Sequence, residues 1–420
     1  MAAGPGFFRT AHALVCDDVS LSDIAIGEGT PTYVYSAATL RARYRAIDEA
    51  FGGYPHAIHY ALKANSTFAI ATLLRELGSA ADANSIWEIE VARKAGYTPP
   101  SIVFTGVGKS PQELECAVTL GVKAINVESA GELARVEAIA TSLGRRARVA
   151  VRINPDIDAK SHPHISTGLK VNKFGMPLAE ARAVFDSLSQ RPALRLVAIH
   201  VHIGSQITAL DPIRRAASVI ADTAAALRDR GITLEYVDLG GGLGVSYDGG
   251  PVPSCADYVN VLVDAIRPTG LPIVVEPGRA IAAPSGALLA RVIDIKPRDT
   301  ESQFVVIDAG MTELLRPAMY GAFHRIEPVN VGAATHVHAN HRYEIVGPVC
   351  ESSDVVGRDR TMTELHVGDL VAIMDAGAYG SAMASNYNRR PMPAEVLVDE
   401  GRWRVIRRRQ TVDDMLAMES

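Results

Sequence analysis

The sequence predicts an α/β protein, a (β/α)8 TIM-type barrel followed by an all-β C-terminal domain. Short apolar segments alternate with alanine-rich helical patterns from about residue 38 to residue 285. Eight such β/α units in about 250 residues match the usual size of a barrel. Beyond residue 285 strand-like segments follow one another with few long helices between. A doubly wound open sheet remains the rival for the first part, because counting strands does not distinguish the two.

The barrel strands are expected at 57–62 (AIHYAL), 79–82, 102–105, 124–127, 148–153, 195–202 (RLVAIHVH), 234–239 and 272–276. Each is a short run dominated by apolar or small residues and bounded by turn signals. Helical patterns occupy 67–78, 85–96, 111–120, 129–143, 178–190, 211–230 and 254–268. Pro111 and Pro212 stand near helix starts, where a missing N–H costs nothing. The second domain is expected from strands at 287–294, 303–308, 342–348, 370–374, 394–399 and 402–407. Residues 1–36 also look strand-like, as in TYVYS (32–36), and are expected to join it. The predicted division is a cofactor-binding barrel over 38–285 and a β-domain over 1–37 plus 286–420.

Bulk properties exclude several functions. A chain of 420 residues, 48% hydrophobic, can bury more than one core. The net charge of −5 gives no basic field for nucleic acid. The run Arg407-Arg408-Arg409 reads as a solvated strand end. The four cysteines, Cys16, Cys116, Cys255 and Cys350, have no paired spacing. That argues against a disulfide framework or a metal site and for a reduced, cytoplasmic setting. No segment reaches the roughly 18 apolar residues of a membrane helix, and the N-terminus lacks a signal-peptide pattern.

In a β/α barrel the active site lies at the C-terminal strand ends. The first strand runs into Lys63, within HYALKAN (59–65). The sixth ends at His200-Val201-His202, the seventh enters Gly240-Gly241-Gly242, and the eighth enters Glu276-Pro277-Gly278-Arg279. Singly, each has an ordinary explanation: a surface lysine, a structural histidine, a tight turn, a salt-bridged turn. Their convergence on one rim points to pyridoxal 5'-phosphate. That cofactor needs a lysine amine for a Schiff base. It needs a phosphate cradle, which glycine backbone supplies at close approach. His200 offers a flat group against the ring. Glu276 would keep the pyridine nitrogen protonated, making the ring a strong electron sink suited to decarboxylation.

Longer segments carry a family resemblance. These are YALKAN (60–65), HPHISTGLKVNKFG (162–175), HVHIGSQI (200–207), DLGGGLG (238–244), EPGR (276–279), DAGMTELLRPAMY (308–320), GPVCESSD (347–354) and DAGAYGSAMASNYN (375–388). In this order the chain resembles the alanine-racemase-like, fold-type III pyridoxal-phosphate decarboxylases, in the branch acting on diaminopimelate. The resemblance implies decarboxylation of meso-2,6-diaminopimelate to L-lysine and CO2, the last step of lysine biosynthesis. It implies that Lys63 carries the cofactor, that His200 stacks on its ring, and that Gly240, Gly241, Gly242, Glu276, Gly278, Arg279 and Tyr379 hold it. Arg279, Arg316, Tyr320, Glu351 and Tyr379 would bind substrate, and Cys350 would be the proton donor. The family shares the Cys350-Glu351 pair across subunits, which implies a homodimer with shared active sites.

The substrate's distal end carries a carboxylate and an ammonium. Arg279 and Arg316 suit the first and Glu351 the second. Three positions depart from the family pattern. Ser85-Ile86-Trp87-Glu88 stands where Ser-Gly-Gly-Glu is frequent, His164 where tyrosine is, and TGVGK (105–109) lacks two asparagines seen in some members. The substitution at 86–87 keeps open a paralogue acting on carboxynorspermidine, ornithine, arginine or a D-amino acid. A non-catalytic regulator is a further reading, opposed by the full set of cofactor residues.

Overall fold

The computed structural model describes residues 5–11, 13–159, 167–168, 172–330 and 341–419. Most of the 162–175 motif, with His164, lies outside them. Two compact units divide the chain. One comprises Arg43–Val245 and Pro251–Ala280, the other Met1–Ala42, Ser246–Gly250 and Ile281–Ser420.

Among the described residues, eight parallel strands of the first unit form its closed ladder: His56–Ala61, Ala80–Ala83, Ile102–Phe104, Ala124–Val127, Ala147–Asn154, Leu194–His200, Tyr236–Asp238 and Ile273–Val275, with the two-residue strand Met176–Pro177 added beside the fifth. The eighth pairs with the first, Val275 opposite Ile58. The sheet therefore closes, and the open-sheet alternative is excluded. All eight lie within two residues of their expected positions. The sixth and seventh end early, at His200 and Asp238, so His202 and Leu239 belong to rim loops rather than the ladder. Strands buried on both faces read as continuous apolar runs, which is why they were legible.

Serines set the helix starts that feed this rim. Ser85, Ser110, Ser129 and Ser254 each accept the backbone N–H three residues on. Ser110 and Glu113 form a reciprocal capping box with Pro111 at the first helical position. Trp87 and Ile86 open the helix Ile86–Lys94, and Trp87 is 77% exposed. The bulky pair thus leaves the Ser85 cap and the following helix intact.

The second unit is built on the long strand Gly286–Pro297. It pairs antiparallel with Thr32–Ser36, Ser302–Ile307 and Leu370–Ile373. Ala394–Asp399 runs parallel to Thr32–Ser36 and forms a hairpin with Arg402–Arg407. His341–Val346 continues the sheet, bordered by Val355–Met362. Leu14, Ile24, Val34, Leu289, Val329 and Val396 share its core. The strand-like reading of residues 1–36 is corrected over Leu21–Glu28, which is a helix capped by Ser20 and ended at Gly29. Ala37–Ala50 is a further helix. No helix among the described residues is long and apolar enough to cross a membrane.

Candidate active site

The barrel's rim gathers the candidates of the first unit. Lys63 lies two residues past the first strand, in the turn Leu62–Ala64. Its Nζ donates to Asn84 Oδ1 at 3.2 Å and stands 3.6 Å from Asp82 Oδ2. Asn84 also donates to both Asp82 oxygens at 3.2 Å. Asp82 is fully buried; burial and the Glu276 charge push its carboxyl up, and Lys63 opposes them. Asp82 and Asn84 therefore fix the amine, a role the sequence reading did not assign. The signal was present, since ADAN follows directly at a strand end.

His200 closes the sixth strand and has no exposed surface. Its Nε2 lies 3.2 Å from Glu276 Oε2. His202, two residues on, is partly exposed and accepts the Gly241 N–H on Nδ1 at 3.1 Å. Desolvation, then the Lys63 and Arg152 charges, push its basicity well down, so the imidazole is neutral.

The glycines cannot be replaced without moving backbone. Gly240 and Gly242 have φ of +63° and +111°. A Cβ on Gly241 would stand 2.2 Å from the Glu276 carbonyl oxygen. One on Gly278 would stand 2.9 Å from Ala64 Cβ. Arg279 is buried, and its Nε and Nη2 donate to Ser205 Oγ at 3.2 and 3.0 Å.

Glu276 follows the eighth strand and is almost fully buried. Burial opposes its ionisation. The adjoining His200 imidazole, followed by the Lys63 charge, outweighs burial and holds the carboxyl well below the usual carboxylate range. Its Oε1 has no hydrogen-bond donor.

The second unit carries the remaining candidates. Arg316 and Tyr320 share the short helix Arg316–Tyr320. Arg316 is buried, with its guanidinium 4.6 Å over the Tyr247 ring and Nη1 2.8 Å from His324 Nε2. Cys350 and Glu351 are exposed. Their loop is held from beneath by Asp354, whose carboxylate accepts the N–H groups of Val349 and Met311 at 2.8 and 2.6 Å. Tyr379 is partly buried, with φ of +56°. Such a conformation costs a non-glycine residue on the order of 1–3 kcal/mol and is concentrated at functional sites.

Residues 37–283 match the family model for the pyridoxal-binding domain of pyridoxal-dependent decarboxylases. A diaminopimelate decarboxylase of Pseudomonas aeruginosa is 42% identical over 98% of both chains. This chain belongs to the diaminopimelate decarboxylase family. The crystal structure of the Helicobacter pylori family member complexed with L-lysine superposes with a TM-score of 0.90 at 43% identity, covering 95% of this chain and 98% of that one. The structure of the family member from M. jannaschii in co-complex with L-lysine gives 0.93 at 35% identity, covering 100% and 99%.

The family cofactor is pyridoxal 5'-phosphate, and the rim fits it. One lysine, Lys63, is held by the side chains of Asn84 and Asp82. Three successive glycines keep the backbone so close to its neighbours that a Cβ on any of them would strike a carbonyl oxygen. A buried carboxylate, Glu276, stands on the same rim as the acidic partner that a protonated ring nitrogen requires.

Proposed function

We propose that this chain decarboxylates meso-2,6-diaminopimelate to L-lysine and CO2, as a cytoplasmic homodimer. The observation that carries the reading is the presence of a held Lys63 amine and the buried Glu276 carboxyl group on one barrel rim. Bound pyridoxal phosphate supplies an electron sink for the pair left when the substrate's carboxylate departs. Lys63 holds the cofactor covalently, and Asp82 with Asn84 orients its nitrogen. Gly240, Gly241, Gly242 and Gly278 bring backbone close to the phosphate. Glu276 keeps the ring nitrogen protonated.

Stacking on the ring is assigned to His202 in place of His200. A stacking imidazole must offer a face, and His200 has none exposed, whereas His202 is partly open and neutral. Arg279 and Arg316 fork onto the distal carboxylate, Glu351 pairs with the distal ammonium, and Tyr320 and Tyr379 complete the substrate contacts. Cys350 returns a proton to the carbon that loses CO2. Exposure of Cys350 and Glu351 supports their donation to a partner subunit. The four free cysteines are compatible with a reducing compartment.

The test is CO2 release by purified protein with added cofactor, from meso-diaminopimelate, ornithine, arginine, carboxynorspermidine and D-lysine. Release from the first should exceed the others by at least about a hundredfold, as expected when buried arginines lose their carboxylate partner. Lys63→Ala should abolish both turnover and the visible cofactor band that borohydride removes. Equal or greater release from another substrate would reassign the activity.

A further inference from the structure

Three strands bring three titratable side chains together behind the rim. His200 and Asp238 are ladder partners on the sixth and seventh strands, and Glu276 leaves the eighth. His200 and Asp238 have no exposed surface and Glu276 is 4% exposed. One polar atom from each lies within 4.8 Å of the others. His200 Nε2 meets Glu276 Oε2 at 3.2 Å. Asp238 Oδ1 accepts the Gly240 N–H at 3.0 Å. The other oxygen of each acid, Asp238 Oδ2 and Glu276 Oε1, has no donor.

Two ionised carboxylates in contact without solvent are strongly disfavoured, and each orphaned oxygen adds a desolvation cost. One proton between them removes both problems. We propose that Asp238 is a positioning residue: it carries a proton, donates it from Oδ2 to the Glu276 carboxylate, and so keeps Glu276 ionised and fixed toward the cofactor. The balance is one proton on two carboxyl groups, with His200 on the remaining Glu276 oxygen. The inference rests on the reading of Glu276 as partner of the cofactor nitrogen. Burial first, then the Glu276 charge, pushes the Asp238 carboxyl well up, in the direction this requires. The surrounding titratable groups are Asp82, His202, Lys63, Tyr236 and Tyr258, with Lys123, whose charge acts against the Asp238 proton, and His59 beside Glu276.

Asparagine at 238 preserves both contacts, since its oxygen can accept from Gly240 and its amide can donate to Glu276. Wild-type, Asp238→Asn and Asp238→Ala holoenzymes are therefore compared. Infrared spectroscopy at neutral pH should find a buried protonated-carboxyl C=O stretch in the wild type that Asp238→Asn lacks. Asp238→Asn should lose no more than about tenfold in kcat and retain cofactor affinity, while Asp238→Ala should lose about a hundredfold or more and release cofactor. If Asp238→Ala does not fold, the band and the asparagine variant still decide. Absence of the band from wild type, its survival in Asp238→Asn, or equal damage in both variants overturns the proposal. So does a stoichiometric divalent metal that Asp238→Asn loses. The band needs no substrate, so failure to act on diaminopimelate would strike the substrate assignment and leave this one standing.

Discussion

His59, on the first barrel strand, is buried with its Nε2 2.9 Å from Lys123 Nζ. Burial, then the Lys123 charge, lowers its pKa to about 3. An unfolded chain would protonate the same ring near 6.5. The folded value is depressed, so the contribution to stability is complete above pH 6.5 and is lost as pH falls toward 3. Urea midpoints should therefore decline below pH 6.5, and decline less steeply in His59→Asn. Parallel slopes for the two proteins would place the acid sensitivity elsewhere. At this scale the sequence exposed Lys63, Glu276 and the glycines, because each stands at a strand end. It concealed the buried ion pair of Lys109 and Glu132, 2.8 Å apart, and the contact of Asp238 with Glu276. Both depend on which strands become neighbours, and that is a property of the closed sheet rather than of local sequence.

The elements were read more fully than their edges. Barrel strands declare themselves by apolar runs, and their helices by the alanine-rich patterns between them. Val355–Met362 escaped notice because Arg358 and Arg360 interrupt it and it borders the sheet with one partner. Leu21–Glu28 was lost among short strands because only two turns separate Ser20 from Gly29. The caps carry measurable weight. Ser85→Ala removes the acceptor for the Glu88 N–H and should cost about 1 kcal/mol in chemical denaturation. Gly241→Ala has a different signature. Its Cβ meets the Glu276 carbonyl, so cofactor affinity should fall by at least about tenfold while the fold persists. Unchanged affinity would remove Gly241 from the phosphate cradle.

At the scale of the whole molecule, the proposed dimer makes each active site a joint product. Lys63→Ala and Cys350→Ala should each be inactive alone. Co-expressed, random pairing makes half the dimers mixed, and each mixed dimer has one intact site. About one quarter of wild-type activity should return if the lysine and cysteine come from different subunits. No recovery would mean that each chain completes its own site.

The exposed position of Trp87 has a practical consequence. The chain has two tryptophans, and they fall one in each compact unit. Trp87 projects into water from the barrel unit, whereas Trp403 is partly buried, with Nε1 bonded to Glu28 Oε1 at 3.0 Å. Their emission colours therefore differ, the first red-shifted by water and the second bluer. Replacing either with phenylalanine leaves one native fluorophore reporting on one unit, so loss of order in the barrel and in the β-rich part can be timed separately without an added label.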